Sequence, residues 1–257
     1  MSNQYPECRS ASQGRHTRVV DGMAEIQSLD KPEWIKTCKH LAEHFHNHPF
    51  SKHDETQEIR LIFDRYNVPA SLKSATQTRR QGSEDPVYYC ISDSTHITKV
   101  PLKKLLLHTK TKAELTALLA KKAKECGQAL RRQPVVAWGK ECEATHKDIG
   151  HLQSDHEEAD TNIILHVLNA TADSATDLNI NSPDTYDLVL AIRWSSEMCL
   201  NTSLVAGRGA THQSIKLQLI AEALGSERTA ALPAFHTITG ADNAGSLSWK
   251  GKVHVSC

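Results

Sequence analysis

Short apolar segments that end in an aspartate recur along this chain, and they constrain its fold more than any other feature. Arg18-Val19-Val20-Asp21 predicts a short buried strand closed by an acid. Glu58 to Asp64 predicts a clearer one, in which Ile59, Leu61 and Phe63 alternate and Asp64 follows. Val135-Val136 mark another within Gln133 to Trp138, and Leu178-Asn179-Ile180 predicts a further strand running into Ser182-Pro183-Asp184. Helical patterns separate these segments. Strand and helix in alternation argue for an α/β fold with a mainly parallel sheet. In such sheets ligands bind beyond the carboxyl ends of the strands. Those ends carry Asp21, Asp64 and Asp184.

The helices have local start and stop signals. Thr111-x-x-Glu114 reads as a capping box opening a helix with Leu115, Leu118, Leu119, Cys126 and Leu130 on one side. Ser154-x-x-Glu157 reads as a second box, ahead of Ile163, Ile164, Val167 and Leu168. Ser214 to Leu224 predicts a helix stopped by Gly225. Pro233 predicts the first position of another, ending at Gly240.

At 257 residues the chain can form one large domain with a proper core. Its formal net charge is zero, so contact with nucleic acid needs local basic patches rather than a bulk electrostatic pull. No segment approaches the length of a membrane span. Met1 to His16 is polar and reads as a disordered leader, without the apolar core of a signal peptide. The expectation is an intracellular protein of nucleus or cytoplasm. Seven scattered cysteines with no C-x-x-C pair predict free thiols. His40, His44, His46, His48 and His53 predict the wet side of an amphipathic helix, with a metal shared by His40 and His44 as the alternative.

Three more acids join those at the strand ends. Glu158 and Asp160 fall in the first turn of the helix after Ser154, and Asp242 follows the Pro233 helix. Singly, each is an ordinary cap, turn residue or offset to a helix dipole. Gathered in one place, carboxylates raise one another's pKa unless a cation intervenes. Mg2+ or Mn2+ suits oxygen ligands and keeps waters that substrate can share. Two such ions, roughly 3.5–4 Å apart, can activate water and stabilise the leaving oxygen in phosphodiester hydrolysis.

At this point the residues resemble a known superfamily. Asp64-Arg65-Tyr66-Asn67-Val68-Pro69-Ala70-Ser71-Leu72-Lys73, followed by Arg79-Arg80, resembles the flap-endonuclease stretch in which an Asp after a strand leads to Pro, Lys and paired Arg. Glu158-Ala159-Asp160 resembles its acid-Ala-acid motif at a helix start. Ser182-Pro183-Asp184-Thr185 resembles its next acidic motif, and Leu232 to Asp242 resembles a helix ending in Gly-x-Asp. The string is also similar to a group of uncharacterised, multi-copy animal proteins with the motifs V-D-G-M, F-D-R-Y, H-E-E-A-D-T, S-P-D-T-D and A-L-P-A-F-H-x-x-T-G-x-D. The resemblance covers about residues 18 to 252.

The resemblance implies a PIN-like, Rossmann-like three-layer α/β fold and metal-dependent hydrolysis of nucleic acid, DNA before RNA. It assigns Asp21, Asp64, Glu158, Asp160, Asp184 and Asp242 as catalytic metal ligands. Lys73, Arg79 and Arg80 would face the scissile phosphate or the strand beside it. The PIN-like domain would span 17–257, with an arch-like insertion at about 81–110 carrying Lys99, Lys103 and Lys104.

Two departures stand out. The motif S-P-D-T-D reads Ser182-Pro183-Asp184-Thr185-Tyr186, with Asp187 one position late. On an extended segment that position faces the opposite way; on a turning one it could replace the lost acid. The glycine-rich turn of a helix-hairpin-helix appears as Trp249-Lys250-Gly251-Lys252, a truncated element over about 240–257. An active nuclease, an inactive interaction module or decaying fragment, and an α/β protein of another class all remain open from the residues alone.

Overall fold

The computed structural model describes residues 14–51, 56–66, 68, 86–206 and 213–240. Lys73, Arg79, Arg80, Asp242, Trp249 and His53 lie outside them. The strands are β1 (Arg15–Asp21), β2 (Glu58–Ile62), β3 (Gln133–Trp138), β4 (Glu141–Ala144), β5 (Ala175–Asn181), β6 (Asn201–Ala206) and β7 (Gln213–Lys216). The helices are α1 (Gly22–Gln27), α2 (Cys38–Ser51), α3 (Leu102–Leu105), α4 (Thr109–Ala129), α5 (Ala159–Ala172), α6 (Thr185–Arg193), α7 (Leu217–Leu224) and α8 (Ser226–Gly240).

These strands form one sheet in the order β4-β3-β2-β1-β5-β6-β7. Only the outer pairs, β3 with β4 and β6 with β7, are antiparallel. From β1 the chain builds outward through β2 and β3, then returns to lay β5 on the other flank of β1. The strand order therefore reverses at β1, and the crevice beyond its carboxyl end is where ligands gather in sheets of this kind.

The alternation read from the sequence places one core on each face. Val19, Ile62 and Val135 pack with Ile163 and Val167 of α5 and Leu190 of α6. Val20, Ile59, Leu61, Phe63 and Val136 pack with Met23 and Ile26 of α1, Leu41 and Phe45 of α2, and Leu115 and Leu119 of α4. Gly22 lets α1 approach β2, since a Cβ there would come within 2.4 Å of the Phe63 ring.

Four local readings are corrected. Helix α4 begins at Thr109, with His108 as its cap. Thr111 and Glu114 instead hold residues 88–91: Thr111 Oγ1 accepts from the Tyr89 amide, and the Glu114 carboxylate accepts from the Ile91 amide and the Tyr88 hydroxyl. Ser154 accepts from the His156 amide in a turn, and α5 starts later, at Ala159. Ser214 belongs to strand β7, whose pairing with β6 overrides the helical pattern until Leu217. Pro233 lies inside α8, which starts at Ser226. Gly225 does end α7, with φ +76. The segment 86–107 packs down through Cys38 N–H to Thr95 O, Lys39 N–H to Asp93 O and Ile97 N–H to Lys36 O.

The second face of β2 departs from simple alternation. Glu58 and Arg60 are both fully buried. Arg60 Nε donates to Glu58 Oε1 at 2.6 Å, and its NH1 donates to the His166 carbonyl and Asn169 Oδ1 of α5. Arg15, His146 and Lys147 converge on Glu58 Oε2 at 2.7–2.9 Å. Burial works to raise the Glu58 pKa, but Arg60 and Lys147 hold it down to about 2. This carboxylate stabilises the fold above the unfolded-state carboxylate pKa, and that contribution is lost as pH falls toward 2. Glu58→Gln leaves buried Arg60 with only the longer contact to Asp173, at 3.3 Å, as counter-charge and is expected to cost about 3 kcal/mol. Urea denaturation at neutral pH checks this: an unchanged midpoint would mean the network contributes nothing.

Candidate metal centre

Three helices begin where the parallel strands end, and an aspartate stands at each start. Asp21 closes β1 and caps α1, its Oδ1 accepting from the amides of Met23 at 2.9 Å and Ala24 at 3.0 Å. Asp64, two residues past β2, reaches across to α5, where its Oδ1 accepts from the Ala159 amide at 2.9 Å. Asp184, past β5, caps α6 through the Tyr186 amide at 2.7 Å. The Ser182 hydroxyl accepts from the Asp184 amide at 3.1 Å and fixes that turn. Aspartate suits these positions because helix amides there lack intrahelical partners and the macrodipole favours negative charge.

The remaining acids lie in the same first turns. Glu158 is the residue preceding α5, one position earlier than its expected place in the first turn; Asp160 is in that turn. Asp187 is in the first turn of α6 and is fully buried. Neither of its carboxylate oxygens has a hydrogen-bond partner of good geometry among the described residues.

These groups lie near enough to act on one another's charge. Burial pushes the Asp21 carboxyl up to about 6, and the charges of Asp64 and Asp184 add to that against the two helix amides. Asp160 is pushed up by burial, then by Asp187, Asp184, Glu158 and Asp64. Asp187 is pushed up by burial and by Asp21, Asp184 and Asp64, with the Ser182 hydroxyl partly opposing. Five of the six sequence-predicted acids are thus brought together, with Asp242 outside the described residues. Asp187 joins them. Its place was legible only as a conditional: the segment after Asp184 turns into a helix, and Asp187 falls three residues beyond the cap, over the helix start.

The acids differ in what they leave free. Capping occupies Oδ1 of Asp21 and of Asp184; among the described residues Oδ2 of each has no hydrogen bond. Both oxygens of Asp64 are engaged, since the Tyr66 hydroxyl donates to Oδ2 at 2.8 Å. Burial, then Asp64 itself, raises the Tyr66 pKa well above its ordinary value, which keeps that phenol a donor. Among the described residues no group of three or more His, Cys, Asp or Glu side chains stands close enough together to hold a metal ion as placed. The donor chemistry, oxygen only and partly open to solvent, is of the kind a hard divalent ion takes, and the buried Asp187 carboxylate has no cationic partner among the described residues.

Of the histidines, His44 pairs with Asp30 at 3.2 Å, while His46 is buried and bonds to the Leu119 carbonyl at 3.1 Å. His46 therefore departs from the wet-side expectation. His156 bonds to the Thr161 hydroxyl at 2.9 Å. The cysteines at 38, 90, 126, 142 and 199 are free thiols. Among the described residues no helix is long and apolar enough to cross a membrane.

Comparison with solved structures places this arrangement in a class. The crystal structure of bacteriophage T5 D15 flap endonuclease, in a pseudo-enzyme–product complex with DNA and metal ions, matches with a TM-score of 0.50. It is 12% identical, over 93% of this chain and 72% of that one. The T5 D15 protein co-crystallised with metal ions matches with a TM-score of 0.49 and 11% identity, over 90% and 68%. No protein-family model matches the sequence, and no curated protein matches it. The fold is the flap-endonuclease-like PIN fold, with a mostly parallel seven-stranded sheet. At such identity the likeness defines the fold and not the chemistry.

The raised carboxyls give a stability prediction. A group whose folded pKa exceeds its unfolded value contributes stability at low pH and loses it as pH rises through the folded value. In chelator, the thermal midpoint is expected to fall as pH rises from about 5, through about 6 for Asp21 and onward for Asp160 and Asp187. Manganese, binding only the folded state, should raise the midpoint most at the alkaline end. A melt series that is flat in pH, or equally shifted by manganese throughout, would contradict this electrostatic picture.

Proposed function

We propose that this chain is a divalent-metal-dependent nuclease that hydrolyses phosphodiester bonds in nucleic acid, DNA before RNA. The observation that carries the reading is the buried Asp187 carboxylate, helped only by the Ser182 hydroxyl and with no cationic partner among the described residues, set among Asp21, Asp64, Asp160 and Asp184. Burying an unpaired carboxylate costs several kcal/mol, and a protein retains such a group where a cation is to meet it.

Asp21, Asp160, Asp184 and Asp187 would hold Mg2+ or Mn2+ through oxygens not spent on capping. Glu158 and Asp242 would complete the set. Asp64 would act mainly by fixing the start of α5, and hence Asp160, against the end of β2. A divalent ion bound there activates water and stabilises the leaving oxygen. The protein residues orient that chemistry: helix amides hold the carboxylates still, and the carboxylate wall repels any phosphate not already neutralised.

Lys73, Arg79 and Arg80 remain the proposed phosphate contacts, and they follow Asp64 closely in sequence. If they engage the backbone, affinity falls linearly with the logarithm of salt concentration; replacing all three with Ala should flatten the slope.

Incubation of the full chain with labelled flap DNA, single-stranded DNA and RNA in manganese tests the reading. Cleavage is expected, and Asp187→Asn should lower its rate by about 100-fold or more, the scale of removing one preorganised electrostatic contact. Tyr186 favours a second reading, a catalytically inactive nucleic-acid or protein module. That reading gains if the native chain is silent and Tyr186→Asp cleaves; it fails if the native chain cleaves and Tyr186→Asp adds nothing.

A further inference from the structure

We propose that the Tyr186 ring, backed by His236, is a stacking wall for one base of a single strand whose phosphate enters the acidic cleft. This inference rests on the nuclease reading above. Tyr186 lies in the first turn of α6, between Asp184 and Asp187. The ring therefore stands at the start of that helix, flanked by the capping Asp184 and the buried Asp187.

Behind it stands His236 of α8, 8% exposed, with ring centroids 5.4 Å apart and planes inclined by 21°. That near-parallel stack holds the tyrosine ring from one side. Its inner edge packs on the core, and the ring is only half-buried. A flat, neutral ring, stacked on one face and partly exposed, thus stands beside Asp184 and Asp187 at the helix start.

Such a site creates a recognition problem. The acids repel the phosphate they are meant to process, and the chain has no net positive charge to draw nucleic acid in. A contact that ignores charge resolves this, and base stacking on an aromatic ring is such a contact. Every base offers a π face, so the contact tolerates any sequence. The ring displays no hydrogen-bond code for a particular base. Tyr186, read from the sequence as a lost ligand, is on this account a substrate-positioning residue, while Asp187 supplies the carboxylate.

The experiment measures binding separately from cleavage. Short single-stranded DNA with 2-aminopurine walked along it is titrated onto the full chain, with calcium in place of magnesium. Fluorescence should be quenched at one position. An abasic site at that position should weaken binding roughly 5- to 100-fold, the range for one stacked base. Tyr186→Phe should retain both effects. Tyr186→Leu, apolar but not aromatic, should lose both, and His236→Ala should weaken the quench. Thermal melts of each variant report folding separately, because a purely structural stack would shift the melts without any position-specific quench.

Equal binding by native protein and folded Tyr186→Leu, with Asp187→Asn still abolishing manganese-dependent cleavage, would overturn the stacking wall and leave the nuclease reading standing. Native protein that neither binds nor cleaves any single strand would overturn both.

Discussion

The structure depends on a balance between carboxylate repulsion and the positive ends of three helices. Asp21, Asp64 and Asp184 each accept hydrogen bonds from first-turn helix amides through one carboxylate oxygen, and Asp160 and Asp187 occupy the first turns of two of those helices. A helix N-terminus presents roughly half a unit of positive charge and several unpaired amides. Three of them aimed at one crevice make it possible to gather so many acids without unfolding the protein. The offset is incomplete, as the raised pKa values of Asp21, Asp160 and Asp187 show. Capping and cation binding are therefore not competing explanations of the same aspartates. Capping with one oxygen orients the other, and on the proposed reading the residual charge is what would draw a divalent ion.

How much of this was legible in the sequence depends on how local each signal is. Val19, Val20, Ile59, Leu61 and Val136 were read correctly as buried strand positions because alternation is a property of the segment itself. The acids at the strand ends were legible for the same reason. Thr111 and Glu114 have the spacing of a capping box, yet their side chains serve Tyr88, Tyr89 and Ile91, some twenty residues upstream. A short pattern cannot announce a partner that only folding supplies. Pro233 failed differently: a proline suits the first turn of a helix, but the packing of α8 on α6 carries the helix through it. The alternation of Ile59, Leu61 and Phe63 gave no sign that Glu58 and Arg60 between them form a buried ionic seam against α5.

The position of Asp187 shows how backbone conformation decides chemistry. On a strand, neighbours alternate between faces, and an acid moved by one position would be lost to the site. On a helix each residue turns the side chain by about 100°, and a residue three beyond the cap comes back over the helix start. Once Asp184 caps α6, Asp187 is buried in the first turn near the other acids and Tyr186, beside it, stacks on His236 of α8. On the proposed reading, the pitch of the helix would let Asp187 stand in for the acid that the linear motif lacks at Tyr186.

Neutral overall charge conceals a strong polarity. The carboxylates collect beyond the carboxyl ends of β1, β2 and β5, whereas Arg15, Arg60, His146 and Lys147 surround Glu58 at the opposite ends of the same strands. The two clusters hold β2 from both ends. At one, Glu58 ties the strand to β1, α5 and the loop after β4; at the other, Asp64 ties it to the start of α5. Helix α5 is consequently fixed against β2 along its whole length, by Arg60 reaching Asn169 near its carboxyl end and by Asp64 at its first amide. A shift of α5 would have to break the buried ionic seam before it could move Asp160. The network far from the crevice thereby sets the geometry within it, and the cost of moving that helix is the reason the acids stay assembled against their own repulsion.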